Sequence, residues 1–306
     1  FAGVYNKINQ PNVKYTLSTA NSLWSENDYN ILQEYKAIAE KYYDGKTTNL
    51  DFKNDPEASR ETINSWVEDR TNNKIQDLFP KDTITTNTRL VITNAIYFKG
   101  TWANQFDKDQ TSLEDFRVSN SKTVQASMMK LKEGSETFNY FENDEVQVLE
   151  MPYDGGTRNL SMIVILPKDD ISSLESSMNS AKLAQWKSSL NKQLVYVNMP
   201  KFTFDTKYDL IPDLKELGMN AAFSDGLADF SGIDGSRLLV INAVVHQAFI
   251  DVNEEGTEAA AATGIGFMET SVPQLKEFKA DHPFIFVIQE RDTGNILFLG
   301  RVINPS

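Results

Sequence analysis

Apolar side chains recur at intervals of three and four along residues 29–43: Tyr29, Ile31, Leu32, Tyr35, Ile38, Ala39 and Tyr42. At about 3.6 residues per turn such positions fall on one face, so the segment predicts an amphipathic helix. Asp55-Pro56-Glu57 opens a second helix. A first turn has no use for the N–H that proline lacks, and its dipole favours acid. Ile63, Trp66 and Val67 mark the apolar side, and Ile75 and Leu78 carry it into a short following helix. The period then changes. Residues 88–98, from Thr88 to Phe98, form one continuous β-prone run and predict a buried central strand.

Strand patterns dominate after that. Thr137–Phe141 and Val146–Met151 flank Asn143-Asp144 and read as a hairpin. Leu160–Leu166 is a further apolar strand, ended by Pro167. Helix returns over 171–190, with Leu174, Met178, Leu183 and Trp186 inward. Leu194–Val197 alternates into Pro200, and Leu238–Val252 predicts a long strand. Phe284–Ile288 and Ile296–Leu299 close a hairpin around Asp292-Thr293-Gly294. Helices come early and strands late, without regular βαβ alternation, which predicts an α+β fold with large sheets. No repeat, linker or composition break appears, so residues 1–306 are expected to form one domain.

Composition narrows the function. Of 306 residues, 40% are hydrophobic and 24% charged, which suits a sizeable core rather than a disordered chain. The net charge of −13 is spread along the chain and argues against a nucleic-acid or anionic-membrane partner. No apolar run approaches the ~20 residues needed to span a bilayer. There is no cysteine, which excludes disulfides and thiol chemistry and leaves the compartment open.

Catalysis finds little support. The two histidines, His246 and His282, lie in a buried-strand context and before Pro283. No serine sits in a Gly-x-Ser-x-Gly elbow, no histidine pair has metal-ligand spacing, and no glycine loop cradles a phosphate. No cofactor or metal is expected. One segment stands out instead. Val252-Asn253-Glu254-Glu255-Gly256 is acidic, Thr257–Thr263 is nearly free of side chains, and Gly264–Ser271 turns apolar. Four alanines suggest helix, yet the flanking glycines and threonines oppose a long one. Such a segment can be loop in one state and strand in another.

An ordered set of motifs identifies the chain as resembling the serpin family. Thr93–Trp102 with Phe106-Asp107 looks like its central strand and breach. Pro56-Glu57, Arg60, Ile63–Val67, Thr71 and Lys74-Ile75 resemble its helix over the main sheet. Leu149–Tyr153, Met199–Phe202, Tyr208–Leu210, Leu217–Met219, Ala228–Ile233 and Ala280–Phe284 follow in family order. The family carries further helices before the point where this chain starts, and Phe1–Gln10 resembles the middle of one. The expectation is a processed or truncated chain, or a piece of a longer one. Without those helices a stable monomer is not expected, since a sheet face would lie open.

The resemblance implies a suicide inhibitor of serine proteases. The protease cuts an exposed loop, here 254–273, which then enters the main sheet as a new strand. The hinge comprises Gly256, Thr257, Glu258, Ala259, Ala260, Ala261, Ala262 and Thr263. If Thr257 faces inward, so do Ala259, Ala261 and Thr263, while the one charge, Glu258, faces out. Family spacing puts the cleaved bond at Thr270–Ser271, with Met268 and Glu269 as alternatives. Thr270 suits an elastase-like pocket, Met268 chymotrypsin- or subtilisin-like enzymes, and Glu269 a protease selecting acids. A trypsin-like target is disfavoured, because no Arg or Lys lies between Gly256 and Gln274. Trp102, Lys201 and Glu254 match the cluster where the loop enters, and Asn94 with His246 matches the polar pair where strands part. The other reading is a non-inhibitory carrier, chaperone or storage protein of the same fold. For the family domain with those helices in place a monomer is expected, with polymerisation as a hazard.

Overall fold

In the computed structural model, residues 3, 15–43, 45–131, 137–154, 159–256 and 275–306 are described. The chain divides into two units, one made of Thr16–Phe98 with Phe204–Ile250, the other of Lys99–Thr203 with Asp251–Ser306. Of the reactive loop expected at 254–273, residues 257–273 lie outside the described residues, including the hinge positions Thr257 to Thr263 and the bonds around Thr270.

The first unit is organised by a five-stranded sheet: β1 (Tyr15–Glu26), β2 (Lys46–Leu50), β3 (Leu90–Gly100), β10 (Phe202–Asp209) and β11 (Ala243–Val252). The order is β10-β11-β3-β1-β2. β3 is the predicted central strand, and β11 lies parallel to it, with Ala243–Ile250 opposite Val91–Phe98. Helix α1 (Gln33–Tyr43) follows β1, and α2 (Pro56–Arg70) precedes β3. Asp55 caps α2, its carboxylate accepting from the Ala58 N–H at 3.1 Å. Ile63 and Val67 of α2 are fully buried, sharing a core with Trp24, Val91, Ala95 and Val245. Short helices α5 (Ile211–Glu216) and α6 (Ser231–Asp234) complete this unit.

Three expectations here need correction. The helix predicted from residue 29 starts at Gln33, and its face is not buried: Ile38 and Tyr42 are about half exposed. No helix follows Arg70. Asn72, Asn73 and Asp77 take positive φ, which a right-handed helix cannot use, yet Ile75 and Leu78 still reach the core. The strand predicted from Leu238 begins at Ala243, because the Asn242 carboxamide accepts the backbone N–H groups of Arg89 and Leu90, at 2.8 and 3.4 Å.

The second unit contains a nine-stranded sheet: β4 (Asp107–Ser119), β5 (Lys122–Lys130), β6 (Thr137–Glu142), β7 (Val146–Pro152), β8 (Leu160–Pro167), β9 (Asn191–Pro200), β12 (Lys276–Lys279), β13 (Phe284–Glu290) and β14 (Ile296–Val302). The predicted hairpins appear as β6–β7 and β13–β14, both antiparallel. β8, buried throughout, separates β7 from β13. The helix predicted over 171–190 is two, α3 (Ile171–Ser177) and α4 (Ser180–Ser189). Asn179 takes an extended backbone and caps a fresh start, its side chain accepting from the Lys182 N–H. Leu174 and Trp186 face the sheet as expected.

Candidate functional site

Two clusters carry the geometry, one in each unit. In the first, the parallel register of β3 and β11 sets His246 opposite Asn94. The His246 ring N–H at Nδ1 donates to the Asn94 Oδ1, and the Asn94 Nδ2 donates to Asn21 of β1. Tyr208 of β10 stacks on the imidazole at 6.3 Å and 12°. A hydrogen-bonded rung therefore crosses three neighbouring strands, β11, β3 and β1, with the Tyr208 ring of β10 beside it. The acceptor oxygen of Asn94 fixes the proton on Nδ1. Burial pushes the His246 pKa below its ordinary value, against the smaller opposing effect of Asn94. One residue before Asn94, the Thr93 hydroxyl accepts from the Trp24 indole and donates to the Ser22 carbonyl, both at 3.3 Å.

The second cluster follows the end of β11. Asn253 and Gly256 exchange backbone hydrogen bonds of 3.2 and 3.1 Å, which makes a tight turn with Glu254 and Glu255 at its tip. Gly256 has φ +99°. The turn is held against Thr101–Phe106: the Trp102 N–H donates to the Glu255 carbonyl at 3.0 Å and the Phe106 N–H to the Glu254 carbonyl at 2.9 Å. The Trp102 indole donates to the Asn253 carbonyl at 3.0 Å and stacks on Tyr153 at 4.3 Å. Both rings are buried, which raises the Tyr153 phenol well above its usual pKa.

Glu254 is 5% exposed, and each carboxylate oxygen has a partner. Oε2 pairs with the Lys201 ammonium at 3.0 Å, and Oε1 accepts from the Thr111 hydroxyl at 2.8 Å. Burial pushes its pKa up, but its own backbone N–H, Lys201 and Thr111 outweigh that and hold the carboxyl below the usual range. Next to it, Glu255 pairs with Lys108.

The structure thus brings Trp102, Lys201 and Glu254 together, and pairs Asn94 with His246. Sequence reasoning missed their partners Asn21, Tyr208, Thr111, Tyr153 and Lys108. Thr111 and Lys108 lie on β4, whose side chains are mostly exposed and give no apolar alternation. Tyr153 and Tyr208 fell inside quoted motifs without a role.

The family model for serpins, described as serine protease inhibitors, matches residues 1–305. The chain is a serpin. An uncharacterized serpin-like protein of Methanosarcina acetivorans is 45% identical over 97% of this chain and 69% of its own. The leukocyte elastase inhibitor of Equus caballus is 39% identical over 100% and 82% respectively. Among solved structures, uncleaved ovalbumin superposes with a TM-score of 0.87 at 32% identity, covering 99% of this chain and 78% of that one. The α+β architecture expected from the sequence is that of these relatives. As a serpin the chain belongs to a family that inhibits proteases rather than one that catalyses a reaction.

Proposed function

We propose that this serpin is a conformational trap for serine proteases, in which the loop beyond Gly256 is cut and enters the sheet between β3 and β11. The observation that carries this reading is the direct pairing of those two strands. They lie parallel over eight residues each, so a strand continuing back from the end of β11 has a place to enter between them. The seam is bridged by the polar His246–Asn94 contact and, further along, by Phe249 meeting Tyr97 edge-on at 5.9 Å. A pleated strand puts alternate residues on opposite faces, and from Thr257 the inward set is Thr, Ala, Ala, Thr, with no charge and no proline to lose a ladder bond.

Each cluster then has a role. The His246–Asn94–Asn21 rung biases the seam closed, and the Trp102, Lys201 and Glu254 cluster holds the loop stem at the point of entry. Thr270–Ser271 is the proposed scissile bond, in keeping with an elastase-like target that takes small side chains. Incubation with elastase-, chymotrypsin- and subtilisin-type proteases should give a covalent complex that survives denaturing electrophoresis. Sequencing the released C-terminal peptide should locate the cut within 268–271. Cleaved serpin beside fully active protease for every enzyme would favour a carrier or storage role instead.

A further inference from the structure

The sheet face that packs with α3 and α4 changes character at one end. Val146 and Val148 of β7, Ile163 and Ile165 of β8, and Ile285 and Val287 of β13 share an apolar core with Leu174 and Trp186. Alternate residues of a strand share a face. Two residues further along each strand, toward this end, that face therefore presents Glu150, Ser161 and Gln289, and all three are buried. The Ser161 hydroxyl donates to the Glu150 Oε1 at 2.8 Å, and Asn139 of β6 donates to Oε2. Arg291 closes on both oxygens, at 2.8 and 3.2 Å. Packing alone does not call for this arrangement. Apolar residues in place of a buried ion pair are often neutral or stabilising. Gln289 adds a further cost, because its Oε1 is sealed from solvent and has no hydrogen-bond partner among the described residues.

Asn139, Glu150, Gln289 and Arg291 line a cavity of about 390 Å³, a size usual for small-molecule sites. The rest of its wall comes from Lys187 and Leu190 at the end of α4 and from Asn159 and Asp292. Lys187 reaches the β13–β14 turn, where a Cβ on Gly294 would stand 3.6 Å from its Nζ. Its ammonium has no ion pair among the described residues. Asp292 accepts from the Asn159 amide through Oδ1 at 2.9 Å, which leaves Oδ2 for another donor. Arg291 spends Nε and Nη2 on Glu150, which leaves Nη1.

We propose that this cavity binds a small neutral α-amino acid, its carboxylate meeting Lys187 and the Arg291 Nη1 and its ammonium meeting Asp292. The charged groups of the wall, Lys187 and Arg291 against Glu150 and Asp292, sum to zero. A zwitterion matches that balance, whereas an anion or a cation alone leaves one charge of the wall unmet. Charge-assisted hydrogen bonds at both ends of the ligand would hold it in one orientation. Leu190 is the one apolar side chain among the described residues of the wall, and it suits a short aliphatic side chain. The site uses nothing of the loop beyond Gly256, so it stands whether or not that loop traps a protease.

The test is calorimetric titration of the full chain with glycine, alanine, valine, glutamate and lysine, and with acetate and ethylammonium as half-molecules. Alanine or valine should bind, and at a hundred times its Kd should raise the Tm by about 4 °C in a chain of 306 residues. Glutamate and lysine each add a charge and should bind about tenfold more weakly, as should acetate and ethylammonium, which each lack one. Lys187→Met and Asp292→Asn should each weaken alanine binding about tenfold and leave the Tm of the free protein within about 1 °C. Lys187→Arg, which keeps the cation, should restore most of the affinity. Lys192→Met, at an exposed β9 position outside the cavity, should bind as wild type does. The proposal is overturned if no amino acid gives heat or a Tm rise, or if acetate binds as tightly as alanine. Wild-type affinity in both Lys187→Met and Asp292→Asn overturns it as well.

Discussion

Gly256 leaves no room for a side chain in this turn. Its φ of +99° is left-handed, and a Cβ would run into the backbone of Gly100, Thr101 and Trp102. In an extended strand the same position needs no positive φ and accepts any residue. Gly256→Ala should therefore penalise the intact turn alone, by about 1–3 kcal/mol. The Tm of the uncut protein should fall and that of the cleaved form should not; equal losses in both would mean the turn persists after cleavage. Lys201→Ala acts on the neighbour, leaving the buried Glu254 carboxylate with Thr111 and a backbone N–H. Lys201 is itself 41% exposed, so water replaces part of what it supplied. The loss should be about 1–2 kcal/mol, short of that for a sealed pair, read from urea denaturation at neutral pH. His246 makes the pH dependence. Burial depresses its pKa in the fold, so the unfolded chain binds the proton more readily. Its stabilisation is complete above the unfolded value of about 6.5 and is lost as pH falls through the lower folded value. Wild type should lose Tm on acidification from about pH 7 to pH 5.5. His246→Gln should lose less over the same range, and parallel curves would rule the histidine out.

At the scale of elements, what the sequence made legible depended on how each side chain is buried. β3, β8 and β13 are buried along most of their length, so their apolar runs announced them. β4 has one fully buried residue, Phe116, and showed no strand period, whereas β10 places Phe202, Phe204 and Tyr208 at alternate positions, a short pattern that was passed over. The site followed the same logic. Trp102, Lys201 and Glu254 were found through motif resemblance, whereas Thr111 sits in a polar strand that carries no such signal. α1 misled in the opposite direction, with an apolar spacing whose Ile38 and Tyr42 remain exposed. The turn after α2 shows where periodicity ends: Ile75 and Leu78 read as helix, but what orders them is Asn64. Its carboxamide is 4% exposed and satisfies both the N–H and the C=O of Phe79. Asn64→Leu keeps the volume and strands the Phe79 N–H, since Arg60 can still reach the carbonyl. The expected cost is about 1–3 kcal/mol. Hydrogen exchange should speed at Phe79 ahead of the amides in α2, and uniform loss across the helix would assign Asn64 to helix packing instead.

For the whole molecule the decisive quantity is the difference between the uncut and cut forms. In the uncut form β3 and β11 pair with one another directly. If the cut segment enters, each new residue gains ladder bonds on two sides, and Thr257, Ala259, Ala261 and Thr263 go under the core that Ile63 and Val67 already cover. The turn at 253–256 must open for this, giving up the Asn253–Gly256 pair and the bonds to Trp102 and Phe106. That loss is a handful of hydrogen bonds, each worth about 1 kcal/mol net. A strand paired on both edges replaces them with a larger number and adds apolar burial. A net gain of about 5 kcal/mol would raise the Tm by about 8 °C in a chain of 306 residues. Cleavage within 257–274 by a subtilisin-type protease, with both fragments kept together, should produce that rise. Gly256→Ala should enlarge it by lowering the uncut Tm alone. A Tm unchanged by cleavage would mean that the loop stays outside the sheet. The β3–β11 seam would then be an ordinary sheet interior, and the protein a serpin that does not trap proteases.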